Sequence, residues 1–324
     1  MTSIKRLTEA GSVEKVFDRV QAEADRQLDI MRTAARETIP EDAGVIVGVN
    51  GSVARREVTS GSDVDLFFLA TETDAEAVRW VQEAFRERLK ADGVKMPAHG
   101  GVFENPLTVA QLLENIGGYA DTNEFLTRRM LYLLEGEWLH NRDGFQRIRT
   151  RLIKRYVADD LENSKLCRYL LNDVIRYWRT ICVDFEEKTG SGDKPRAIRL
   201  VKLRFARMML YFGGVAAIAR TGDRPADAKR TVLLEAFAKA PSERLKDTFG
   251  KTEMEGPLAD YATFLNAMND PNIRSSLEQE GHNGMDTDEY RELVDVARSF
   301  RDGLEAALVG PKGLPNQIGS ALLL

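Results

Sequence analysis

The segment Gly51-Ser52-Val53-Ala54-Arg55-Arg56-Glu57-Val58-Thr59-Ser60-Gly61-Ser62-Asp63-Val64-Asp65-Leu66 gathers the residues best suited to chemistry. Asp63 and Asp65 stand two apart in what reads as a strand, so both carboxylates project from one face. Leu66, Phe67, Phe68 and Leu69 follow at once and call for burial, which places two like charges at the edge of an apolar sheet. Their repulsion and lost hydration cost on the order of several kcal/mol unless something compensates. A divalent cation is the natural compensation. Hard carboxylate oxygens on a rigid strand suit Mg²⁺, which takes one or two protein carboxylates and completes its shell with phosphate oxygens and water; Mn²⁺ could replace it. Upstream, the Gly51-Ser52 step lets backbone N–H groups approach an oxyanion closely, and the hydroxyl adds a donor. Taken alone, Asp-x-Asp is a solvated edge and Gly-Ser an ordinary turn. The order strand, Gly-Ser, turn, strand is what favours a metal–nucleotide site.

The elements that must position these residues can be read from periodicity. Residues 12–37 form an amphipathic helix, with Val13, Val16, Phe17, Val20, Ala24, Leu28 and Met31 on one face. Val45-Ile46-Val47-Gly48-Val49 is a continuous apolar run, the pattern of a strand buried on both faces. Residues 64–69 make the second strand, 74–91 return to helix, and a third strand is expected around Val102-Phe103. From about Thr108 the chain reads as almost wholly helical, over 108–116, 122–135, 143–158, 161–187, 195–219, 226–239, 257–268 and 286–308. The expected fold class is α+β: a small mixed sheet with flanking helices over residues 1–110, then a mostly helical domain over 111–324 that completes a cleft.

The wording Gly-Ser-x-Ala-Arg-x-Glu-x(4)-Ser-Asp-x-Asp-Leu, behind a hydrophobic strand, resembles the signature of the DNA polymerase β-like nucleotidyltransferase superfamily, in particular its bacterial adenylyl- and uridylyltransferase-like branch. The resemblance rests on these roughly twenty residues. It implies attack on the α-phosphate of a nucleoside triphosphate, with ATP weakly favoured, and release of pyrophosphate. It implies that Gly51 and Ser52 hold the β- and γ-phosphates, with Ser62 and Arg55 beside them in the same turn, and that Asp63 and Asp65 are the metal ligands and catalytic carboxylates. The family usually adds a third carboxylate from a later strand, for which Glu104 is the candidate. In larger members a helix of the second domain presents a Lys or Arg to the triphosphate. Here Arg199 or Lys202, in Arg196-Ala-Ile-Arg199-Leu-Val-Lys202-Leu-Arg204-Phe-Ala-Arg207, would do so; a solvated or salt-bridged face is the structural alternative.

Composition narrows the partners. Lys plus Arg number 46 against 51 Asp plus Glu, for a net charge of −5, which disfavours a long nucleic acid while leaving room for a local basic cleft. The acceptor stays open among a protein side chain, a small molecule, a second nucleotide and an RNA end. Two cysteines are too few for a zinc site or a disulfide framework, and the three histidines lie far apart. No run approaches a membrane span, and Met1-Thr-Ser-Ile-Lys-Arg lacks the apolar core of a secretion signal, so a cytoplasmic setting is expected. The rival from another class is a nucleotide-sensing or protein-interaction module of the same fold without turnover, as in a toxin–antitoxin or phage-defence pair. The intact Asp63/Asp65 pair favours the enzyme.

Overall fold

The computed structural model describes residues 4–71, 74–97, 105–114, 116–190, 192, 194–310 and 318–319. It is an α+β fold, a small four-stranded mixed sheet within a mostly helical chain. Strands β1 (Val45–Asn50), β2 (Asp65–Ala70), β3 (Leu107–Thr108) and β4 (Glu137–His140) lie in the order β3-β2-β1-β4. β1 runs antiparallel to both β2 and β4, while β2 and β3 are parallel. The central position of β1 explains its unbroken apolar run, since every residue of it is buried. Val45, Val47 and Val49 join Leu66 and Phe68 on one face, beneath α1 (Ala10–Thr38) and α3 (Arg79–Ala91). Ile46 joins Phe67 and Leu69 on the other face, toward the helices that follow.

Two departures from the sequence reading bear on the sheet. The strand expected at Val102-Phe103 falls outside the described residues, and a two-residue strand appears at Leu107–Thr108. The fourth strand comes from Glu137–His140, beyond residue 110, inside a stretch that reads as a helical break. Its Glu-Trp-Leu-His sequence is too short to show a period of two, and only its pairing with β1 holds it extended.

The helical part forms two cores. One surrounds α5 (Asn123–Leu134), α6 (Arg142–Tyr156) and α7 (Arg168–Gly190) and reaches the sheet. The other collects α8 (Arg196–Lys202), α9 (Met208–Ala219), α11 (Pro241–Phe249), α12 (Lys251–Asn269), α13 (Pro271–Leu277) and α14 (Asp288–Val309) around Phe205, Tyr261, Phe264 and Phe300. Helix α1 is long enough, at 29 residues, to serve both regions: Val16 and Val20 pack into the helical core, and Ala24 to Ala35 into the sheet. α7 begins at Arg168, later than the expected 161, because Asp159, Asn163 and Ser164 lie in a run of turns where short polar side chains compete with helical bonding. Pro257, which reads as a helix start, sits inside α12. Among the described residues no helix is long and apolar enough to cross a membrane.

Candidate active site

The chain leaves β1 through a four-residue helical turn, Gly51–Ala54, and returns into β2 at Asp65. Gly51 adopts φ +75°, a left-handed conformation open to glycine, and a Cβ there would lie 2.6 Å from Asp65 Oδ2. Gly51 thus lets the aspartate approach the backbone. Its N–H is already engaged, donating to Glu135 Oε1 at 2.9 Å, and is not a free donor for the phosphate expected there. Ser52 Oγ makes no hydrogen bond among the described residues and lines the cleft.

Asp65 stands opposite Asn50 in the β1–β2 register, and the alternation of β2 turns it to the same face as Phe67 and Leu69, toward the helices. Asp63 precedes the strand and does not lie in it, as the sequence reading had placed it; both aspartates nevertheless line one cleft. Burial first, then the neighbouring Asp63, pushes the Asp65 carboxyl up to about 6, while Arg207 and Arg55 act against the rise. Asn50, beside Asp65 in the register, is buried with neither amide atom hydrogen-bonded among the described residues.

The cleft encloses about 670 Å³, mouth included, and Lys202, Arg207 and Arg274 line it together with the two aspartates. Lys202, at the end of α8, is open to water through the cleft and makes no ion pair among the described residues. Crowding by protein, then Arg274, lowers its ammonium to about 8, against the pull of Asp63. Arg199 is exposed on the same helix and does not line the cleft. Arg207 and Arg274 do line it, and the sequence reading had singled out neither for the site.

Arg207 was hidden by a change of helical period. Residues Leu203–Arg207 form a π-turn between α8 and α9. At 3.6 residues per turn, positions 202 and 207 are about 140° apart, which put Arg207 on the outer face. The π-turn's i→i+5 bonding brings Arg207 round to the side of Lys202, as such bulges often do near functional sites. Burial works against its charge, but Tyr177, Glu135 and Asp65 hold the guanidinium pKa above its ordinary value, and Nη1 lies 3.5 Å from Glu135.

Arg274 comes from the short helix α13, where a single basic residue carries no periodic signal. Its guanidinium lies flat on Gly61, such that a Cβ at 61 would fall 2.0 Å from Arg274 Cζ; its Nε pairs with Glu278 at 2.8 Å. The loop bearing Asp63 is further tied to the end of α12, where Ser60 N–H donates to Asn269 Oδ1 at 3.1 Å and Ser60 Oγ to Asn269 O at 3.1 Å.

Two other motif residues prove to be supports. Arg55 is buried and lies between Glu57 (2.7 Å) and Glu135, so its charge is balanced within the protein and the phosphate role read for it has no free donor charge behind it. Ser62 Oγ accepts from Thr59 N–H at 3.0 Å and closes the turn before Asp63. Burial opposes ionisation of Glu135, yet Arg55, Arg207 and the Gly51 N–H hold its carboxyl below the usual range, so it is an anion that fixes the floor of the cleft. Glu104 lies outside the described residues.

Asp63 and Asp65 supply hard oxygens to the cleft, and crowding of their charges leaves them short of positive charge. They therefore fit a divalent cation that draws its remaining ligands from phosphate and water. Among the described residues no group of three or more His, Cys, Asp or Glu side chains could hold a metal by itself. The pair fits a metal that arrives with a nucleotide. Neither a protein-family model nor a curated protein sequence matches the chain.

Proposed function

We propose that this protein is a metal-dependent nucleotidyltransferase, moving a nucleoside monophosphate from a nucleoside triphosphate onto an acceptor hydroxyl and releasing pyrophosphate. The observation that carries the reading is the meeting, in one cleft, of the Asp63/Asp65 pair with Lys202, Arg207 and Arg274 from separate helical segments. Carboxylates and cations lining one cleft match a metal–triphosphate, whose charge both must share.

Asp63 and Asp65 would hold Mg²⁺, or Mn²⁺ in its place; bound there, it would neutralise phosphate charge and lower the pKa of the acceptor hydroxyl. Lys202 and Arg274 would bind the β- and γ-phosphates, with the Ser52 hydroxyl as a further donor, and so orient the leaving group. Arg207, anchored by Glu135, would face the α-phosphate side next to Asp65. Phe264, Leu265 and Met268 give the cleft an apolar wall suited to a nucleobase. The acceptor hydroxyl gives its proton to solvent, its oxygen forms a bond to the α-phosphorus as the bond to the bridging oxygen breaks, and the electron pair of that bond leaves with pyrophosphate.

The reading is tested by incubating the protein with each α-³²P-labelled triphosphate, Mg²⁺ and a cell extract as the source of acceptor. Label should pass to acceptor with one triphosphate preferred and fall at least a hundredfold in D63A/D65A. Equal labelling by the double variant, or none with any triphosphate, contradicts transfer.

A further inference from the structure

Behind the floor of the cleft lies a second cavity of about 660 Å³ between the sheet edge and α11, bordered by Arg55 and Glu135 on the cleft side and by Arg149 and Arg244 on the far side. Most of its cations are balanced: Arg55 by Glu57 and Glu135, Arg56 by Asp25 and Glu137, and Lys239 by Asp247. Arg149 and Arg244 are not. Their side chains are 3% and 1% exposed, and neither has a carboxylate partner among the described residues. Arg149 donates to Gly136 O, and Arg244 to the carbonyls of Leu134, Ala236 and Lys239 at the ends of two helices. Among the described residues Arg244 Nη1 and Arg149 Nε have no hydrogen-bond partner. The nearby carboxylates, Glu135, Glu243 and Glu57 for Arg244 and Glu137 for Arg149, form no ion pair with them among the described residues. A buried guanidinium with an unmet donor and no ion pair costs free energy that a bound anion would recover.

We propose that this cavity binds a small oxyanion of the phosphate or pyrophosphate class, held between Arg149 and Arg244. The α11 N-terminus, capped by no side chain at Ala240, also borders the cavity, and its dipole favours the same sign of charge. Polar groups dominate the lining and the apolar surface is small, which suits an inorganic anion better than a nucleoside. The proximity of the two arginines lowers the Arg244 pKa, after burial, to about 9, and an anion between them would reverse that effect. Occupancy would also be felt in the cleft, because Arg55 borders both cavities and Glu135, which borders the second, holds the N–H of Gly51 in the first.

The test is calorimetric titration of inorganic pyrophosphate at pH 7, without metal, into the wild-type chain, K202A/R274A and R149Q. Removing Lys202 and Arg274 disarms the cleft, so a signal kept within about threefold in K202A/R274A and weakened at least tenfold in R149Q supports the second site. Loss in K202A/R274A with retention in R149Q, or no saturable binding to wild type, overturns it. Since R244Q also removes a clamp on two helix ends and can unfold the chain, the second measurement is made on wild-type crystals soaked in tungstate. Anomalous density between Arg149 and Arg244 supports the proposal, whereas density only at Lys202 and Arg274 overturns it. Failure of nucleotide transfer would leave both outcomes readable, since neither measurement uses turnover.

Discussion

At the scale of single residues the account rests on opposed charges held at unequal cost. Asp65 is the strained one, its carboxyl raised to about 6 by burial and by Asp63. Between about pH 4 and 6 the folded chain keeps a proton that the unfolded chain has released, so stability falls as pH rises through that window. Asp65→Asn removes the penalty: it should stabilise the protein at pH 7.5 by on the order of 1–2 kcal/mol, with no gain at pH 4, while abolishing transfer. Thermal melts at the two pH values, set beside the transfer assay, check both halves. Metal–nucleotide binding needs the ionised pair and should weaken as pH drops through about 6. At the other limit Lys202 titrates near 8, and its loss of charge should raise the KM for triphosphate in more alkaline solution. A pH profile of kcat/KM with a plateau between these limits is the expected outcome; a flat profile from 5 to 9 would separate these groups from binding. Gly51→Ala meets both a left-handed backbone and an Asp65 oxygen 2.6 Å away, so it should cost about 1–3 kcal/mol and most of the activity.

At the scale of elements, the sequence was legible where one principle acted alone. The buried run Val45–Val49 and the amphipathic helix ending near Thr38 follow from period and burial, and the structure contains them; Asp63 and Asp65 line one cleft although Asp63 lies outside the strand whose alternation placed them together. What escaped depended on tertiary competition. β4 is extended because β1 offers it an edge, and Arg207 faces the cleft because five residues form a π-turn that a uniform helical wheel cannot represent. Arg55 looked like a phosphate ligand because its partner Glu135 is 80 residues away. Similarly, Asp173 on α7 meets Arg129, 44 residues away in sequence, at 3.0 Å, while Arg129 also meets Asp121 at 3.1 Å. With Arg129 fully buried, Arg129→Leu leaves Asp121 to Arg176 at 2.7 Å and Asp173 to the Tyr156 hydroxyl and a more distant Arg176, so it should cost about 2–4 kcal/mol in denaturant-monitored unfolding. A cost below about 1 kcal/mol would show that the network contributes little.

At the scale of the whole molecule, the cleft exists because the helical part closes over the sheet. Long-range ties carry this: Glu135 to Gly51 and Arg55, Arg274 against Gly61, and Asn269 to Ser60. Both walls are thus fixed to one another through the loop that carries Asp63. Asn269→Ala removes one tie far from any reacting atom, so it should lower kcat several-fold with little change in Tm, and amide exchange at residues 58–63 should quicken. Unchanged exchange would place the loop's order elsewhere.

The central claim is that the two aspartates and the cations lining the same cleft together recognise a metal-bound triphosphate, and it is tested most directly by binding, which needs no acceptor. Calorimetry of a non-hydrolysable ATP analogue and of its GTP, CTP and UTP counterparts, each with and without Mg²⁺, on the wild-type chain and on D63N/D65N answers it. The account predicts saturable binding of at least one analogue that Mg²⁺ tightens at least tenfold in the wild type and not in the double variant. No binding of any analogue, or binding indifferent to both the metal and the two aspartates, would contradict it.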